Sequence, residues 1–215
     1  MRAFAALCGV LVAAYAQDCS KPLLTPSCCA DKAPASFDAA FETTAGNFTL
    51  HVERAWAPLG VDRFYNLIKY GYFGGVAKTY TDGNEASFFR VVPGFVVQFG
   101  ISGLPAISGA WENEEIADDP VVLSNIAGTI AFATAGPNTR TTQVYINLGD
   151  NSSLDGQGFA PFGNVTTPAG YAVVQKLYAG YGQTPDQGAI YAQGDAYLKK
   201  SFPLLDYTLA ARIVA

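Results

Sequence analysis

The chain has 215 residues, 50% hydrophobic and 13% aromatic, with 13 Lys and Arg against 18 Asp and Glu for a net charge of -5. Such a chain can bury a core without structural metals or many cross-links. It lacks the basic surface that a phosphate backbone requires, so nucleic acid is not an expected partner.

The opening segment MRAFAALCGVLVAAYA has Arg2 at its positive end, an apolar run, and Ala14-Tyr15-Ala16 as a small-x-small cleavage pattern. That is the form of a secretory signal over residues 1–16. The apolar run is shorter than the roughly 18 to 20 residues of a bilayer span. The mature chain is therefore expected to begin at Gln17, to leave the membrane, and to be secreted or held in the secretory lumen. Residues 17–36 then form an irregular leader containing Cys19, Cys28 and Cys29. In an oxidising compartment, Cys19 is expected to bridge Cys28 or Cys29, leaving one thiol available to link two chains.

Apolar and polar residues alternate over 37–42 and 48–53 around Thr44-Ala45-Gly46-Asn47, the pattern of a hairpin. Pro58 and the spacing of Val61, Phe64, Tyr65 and Ile68 predict a helix ending at Gly71. Residues 77–87, AKTYTDGNEAS, read as a surface loop. Short strands follow at 87–92, 96–99, 128–133 and 142–147, separated by turns rich in Gly, Pro and Asn. A second helix is predicted over 169–178, and the alternation over 207–214 should return as a strand beside the first. Many short strands without intervening helices favour a closed antiparallel barrel. There is no internal repeat, so residues 37–215 read as one domain, with a C-terminal extension over 180–215.

His51 is the sole histidine, and with only clustered cysteines elsewhere it forms neither a metal set nor a catalytic triad. No metal or cofactor is expected. Asn47, Asn151 and Asn164 each begin an Asn-x-Ser/Thr sequon. Asn47 at the hairpin and Asn151 in a polar loop read as the accessible ones, and Asn164 as the least accessible because it enters a strand.

Two segments carry the chemistry: FFRVVPGFVVQFG over 88–100 and AFATAGPNTRTTQVYIN over 131–147. They resemble the core motifs of the cyclophilins, the barrel-type peptidyl-prolyl cis-trans isomerases, and the likeness runs from about residue 37 to 174. The resemblance implies a mostly β fold, a closed eight-stranded antiparallel barrel capped by two helices. It implies Arg90 as the catalytic arginine and Gln98 as the residue that orients it. Phe95 and Val96 fall in the proline pocket, where Val96 replaces the usual methionine, and Gln143 matches the second site glutamine. Tyr145 stands at a usual phenylalanine. Ala133, Thr134 and Ala135 match the strand whose backbone pairs with substrate, Thr134 in place of the usual asparagine. Leu154 and Phe159, within LDGQGFAPFG over 154–163, close the pocket as in bacterial-type members. Ser153 stands where human-type members have the tryptophan associated with cyclosporin, so little or no cyclosporin binding is expected.

The family likeness implies a cofactor-free monomer that isomerises X-Pro bonds in secreted polypeptides. The rival readings are a proline-peptide binding module or chaperone with little turnover, and a matrix protein linked through its cysteines.

Overall fold

The computed structural model describes residues 18–74 and 85–214, so the expected signal peptide and residues 77–84 of the expected loop insertion lie outside the described residues. The eight strands are β1 (Ser36–Thr43), β2 (Gly46–Glu53), β3 (Arg90–Val92), β4 (Val96–Phe99), β5 (Thr129–Phe132), β6 (Val144–Asn147), β7 (Pro161–Val165) and β8 (Thr208–Val214). They form one antiparallel sheet in the order β3-β4-β6-β5-β7-β2-β1-β8.

The ladder is open between β3 and β8, which refines the expectation of a closed barrel. Residues leading into these two edge strands meet in an isolated Ser87 to Tyr207 bridge. The Phe88 N–H donates to the Asp206 carbonyl at 2.9 Å beside it. The curled sheet is thus sealed by a short seam rather than by an eighth ladder.

Alternation sets the two faces of the sheet. In β1 and β2 every second residue is buried, because successive side chains on a strand point to opposite faces. Phe41 stacks on Phe48 at 5.1 Å and meets Phe99 edge-on at 5.9 Å. Aromatic side chains of this size supply much of the core energy, about 3–5 kcal/mol each on truncation to alanine.

Two helices close the barrel, as the hydrophobic spacing predicts: α1 (Pro58–Lys69) and, after β7, the helix Pro168–Lys176. Between β4 and β5 lies a short helix that the sequence reading lacks, α2 (Pro105–Trp111), which makes the Pro168–Lys176 helix α3. Trp111 of α2 donates its indole N–H to the Leu23 carbonyl at 2.9 Å. Asn66 and Asp62 of α1 accept from the backbone of Asp31 and Ala33. The leader is therefore fastened along the barrel.

The N-terminus of α1 has no cap from Ala57. Its donors are instead met from a distance, Leu59 N–H and Gly60 N–H giving to the Asp119 carboxylate at 3.0 and 2.8 Å. Arg140 holds the same carboxylate through both terminal nitrogens at 3.1 Å.

Cys19 and Cys28 form the disulfide, and Cys29 is free but buried, its thiol pushed up to about 12 by burial. Burial removes Cys29 from the surface and so contradicts its expected use as an inter-chain link. Asn151 is also a correction, since its amide is buried and donates to Phe95 O at 2.8 Å and Asn147 Oδ1 at 2.7 Å. Asn47 is exposed, and Asn164 is half-buried on β7.

Residues 179–207 lie between α3 and β8, so the expected C-terminal extension sits inside the barrel connectivity. It folds into α4 (Gln187–Gln193) and α5 (Asp195–Ser201). Ile190 and Leu198 pack with Phe89, Ile101, Leu205 and Tyr207 in a separate apolar cluster.

Asp195, the first residue of α5, is buried, 2.9 Å from Lys199 and interacting with Glu85. Burial pushes its carboxyl up to about 6, outweighing the Lys199 ammonium. The folded state then holds the proton longer than the unfolded state, so stability falls as pH rises from about 4 to about 6 and stays lower above that window. Asp195→Asn should abolish this slope, gaining about 1–2 kcal/mol at pH ~7.5 relative to pH ~4.5 in urea titrations. A variant whose pH dependence matches the parent's would disprove the assignment.

Candidate active site

The turn Val92 to Val96 places Arg90 directly across from Gln98, and the next ladder places Gln98 across from Tyr145. Directly opposed residues share a face and lie within reach of one another. Alternation therefore sends Val97 and Phe99 into the barrel while Val96, Gln98 and Tyr145 face outward. Ala131 pairs with Tyr145 and completes the floor.

On this face lies a cleft of ≈ 340 Å³. All eleven site residues implied by the resemblance line it: Arg90, Phe95, Val96, Gln98, Ala133, Thr134, Ala135, Gln143, Tyr145, Leu154 and Phe159. One end is apolar, where Phe95, Ala133, Leu154 and Phe159 pack around Val96, Ala131 and Tyr145. The other is polar and includes Thr139, Thr141 and Gln187.

Arg90 bridges the two ends. Its Nη1 donates to Gln98 Oε1 at 3.0 Å, and its Cζ lies 5.5 Å from the Phe95 ring centroid. Gln98 Nε2 in turn donates to Gln143 Oε1 at 2.8 Å. Among the described residues no carboxylate pairs with Arg90. The guanidinium keeps its full charge and most of its five N–H groups for a ligand.

Two substituted positions have a structural account. The Tyr145 hydroxyl donates to Asn125 Oδ1 at 2.8 Å. Asn125 donates to Asp155 Oδ1 at 2.8 Å and to Phe159 O at 2.9 Å. Burial holds the phenol above its usual range, so it stays neutral and donating. Burial also works to raise Asp155, but hydrogen bonds from Ser124 and Asn125 outweigh it and hold the carboxyl below its ordinary value. Tyr145→Phe should keep turnover within about threefold and cost about 1 kcal/mol of stability, one buried hydrogen bond. A hundredfold loss of turnover with full stability would instead give the hydroxyl a direct chemical role.

Thr134 commits its hydroxyl to Thr139 Oγ1, at 2.8 Å, and the Gly136 carbonyl. It ties down the Gly136-Pro137-Asn138-Thr139 turn. Ser153 is exposed on the 3-10 turn Ser152–Gln157.

Asn125, Gln183, Gln187 and Tyr191 were missed by sequence reasoning. Gln183 Oε1 accepts from Arg90 Nη2 at 3.4 Å, and Gln143 Nε2 donates to the Tyr191 hydroxyl at 3.3 Å. The only local signal was the spacing of four between Gln187 and Tyr191, one face of a helix.

The chain is similar to known proteins across most of its length. The family described as "Cyclophilin type peptidyl-prolyl cis-trans isomerase/CLD" matches residues 39–192. "Peptidyl-prolyl cis-trans isomerase-like 1" of Aspergillus niger is 32% identical over 145 residues, covering 65% of this chain and 80% of that protein. "Peptidyl-prolyl cis-trans isomerase A" of Dickeya dadantii is 33% identical over 147 residues, covering 63% of this chain and 67% of that protein. The fold matches a Cryptosporidium parvum cyclophilin type isomerase crystallised in the presence of the dipeptide Ala-Pro. That match has a TM-score of 0.59 at 16% identity, over 83% of this chain and 99% of the other. With the family match spanning well over half of its residues, the chain belongs to the cyclophilin-type peptidyl-prolyl cis-trans isomerase family.

Proposed function

We propose that the protein isomerises X-Pro bonds in polypeptides of the secretory pathway, with Arg90 as the catalytic residue. The observation that carries this reading is an unneutralised guanidinium fixed by Gln98 beside an apolar slot floored by Phe95. The uncatalysed barrier of roughly 18–20 kcal/mol reflects lost amide resonance. As the bond twists, the prolyl nitrogen recovers its lone pair and becomes a better hydrogen-bond acceptor. A pre-positioned donor that meets this nitrogen binds the twisted state more strongly than the planar one, the condition for lowering the barrier. Phe95, Val96, Tyr145, Leu154 and Phe159 hold the ring while the preceding carbonyl swings.

The relative crystallised with Ala-Pro supports a proline-containing ligand. The Cys19–Cys28 bridge agrees with an oxidising compartment. Exposed Asn47 is the sequon best placed to carry a glycan.

The test is NMR exchange spectroscopy of an Ala-Pro-Phe-type peptide with the folded mature chain. Accelerated cis-trans exchange is expected. Line broadening without acceleration would leave a binding module, and neither effect would remove both readings.

A further inference from the structure

The insertion between α3 and β8 meets the candidate site at two separated points. Gln183 lies on Arg90 and Tyr191 on Gln143. Between them runs an unbroken row: Arg90 donates to Gln98, and Gln98 donates to Gln143. A segment of nine residues therefore spans the row and closes it at both ends.

The orientation of every amide in the row follows from Arg90, which has donors only. Gln98 must present its oxygen to the guanidinium, so its Nε2 points to Gln143. Gln143 must then accept through its oxygen, which sends its own Nε2 onward. The Tyr191 hydroxyl is the acceptor found there. Burial holds that phenol above its ordinary range, so it remains neutral. At the other end, Gln183 presents a second oxygen to Arg90 and limits swinging of the guanidinium about Cδ.

The segment is anchored independently of these side chains. The Val91 N–H, one residue beyond Arg90, donates to the Gly182 carbonyl at 3.0 Å. Gly194 ends α4 at φ +57, and a side chain there would lie 2.0 Å from the Gly103 carbonyl, so the backbone approaches as only glycine permits. Asp195 N–H donates to that carbonyl at 2.9 Å, while Ile190 and Leu198 sit against Phe89 and Ile101. The two polar contacts thus project from a docked scaffold.

We propose that Gln183 and Tyr191 are positioning residues for Arg90, acting from opposite ends of one hydrogen-bonded row. This inference rests on the isomerase reading of the same cleft. Both contacts, at 3.4 and 3.3 Å, are long for hydrogen bonds, so each should be worth a few-fold in rate rather than orders of magnitude.

Two near-isosteric variants of the full chain test it, Gln183→Met and Tyr191→Phe, each removing one acceptor with little change of shape. Three quantities are read: kcat and KM separately for an Ala-Pro-Phe-type peptide, the guanidinium Nε–Hε resonance of Arg90, and the melting temperature. The expected result is about a three- to tenfold fall in kcat, KM within about twofold, a shifted or broadened Arg90 resonance, and unchanged melting. A kcat held at the parental value in both variants would overturn the proposal. So would a fall in kcat that only follows a fall in melting temperature with the Arg90 resonance unmoved. If the parent itself shows no turnover, the isomerase reading fails. The Arg90 resonance then judges the clamp alone, and an unmoved signal in both variants rejects it.

Discussion

Arg90→Ala will lower kcat/KM for X-Pro isomerisation by at least about a hundredfold, the size found when a single transition-state donor is removed. On the proposed mechanism the loss falls on kcat, because the guanidinium would meet the prolyl nitrogen only as its lone pair localises. The apolar slot remains, so peptide affinity should change far less. The fold should also survive, since β3 is a three-residue edge strand and Arg90 is only half-buried. Arg90→Lys should recover little of the loss, because an ammonium cannot hold Gln98 in a planar fork and face the substrate together. NMR exchange at equal folded concentration decides it: an alanine variant with more than about a tenth of parental turnover would exclude Arg90 as the main donor.

The largest effect on stability is expected at Asp119. Its side chain is 2% exposed, and its partner Arg140 is 4% exposed. Asp119→Ala strands a buried guanidinium, leaving it the Ala117 carbonyl and the Asp118 carboxylate at 3.5 Å from Nε, and removes the acceptor for two N–H groups opening α1. Breaking such a pair from one side costs about 3–5 kcal/mol, most of it the uncompensated charge. Urea unfolding should show this loss. The double variant Asp119→Ala/Arg140→Met should be more stable than Asp119→Ala alone, because it removes the stranded charge. A double variant at the sum of both single losses would mean that packing, not charge, sets the cost. Arg140 is three residues before Gln143, so the cap of α1 and one wall of the cleft share a support.

The site was legible because most of it is written in strands. Arg90 and Gln98 lie equidistant from Gly94 in the turn, and a strand's period of two decides which residues share a face. A local pattern thus fixes the cross-strand neighbours. Asn151 shows the opposite case: its sequence neighbours are polar, but its amide is buried against nearby Asn147 and the Phe95 carbonyl, which is far away in the chain.

The second helical pair was invisible on similar grounds. α4 and α5 are seven residues each, too short to be stable without tertiary contacts. Their partners Phe89 and Ile101 lie in other segments. Asn125 could not be assigned because its role depends on Tyr145 and Asp155 meeting it from two directions.

The seam between β3 and β8 has a consequence for solubility. An open sheet offers its edge strand as a template for any extended chain, and a protein that handles unfolded polypeptides would meet such chains constantly. Here the Val91 N–H is taken by Gly182 and the Phe88 N–H by Asp206. The strand bearing Arg90 thus has these outer N–H groups already paired within the chain, which makes it a poor template for an added strand.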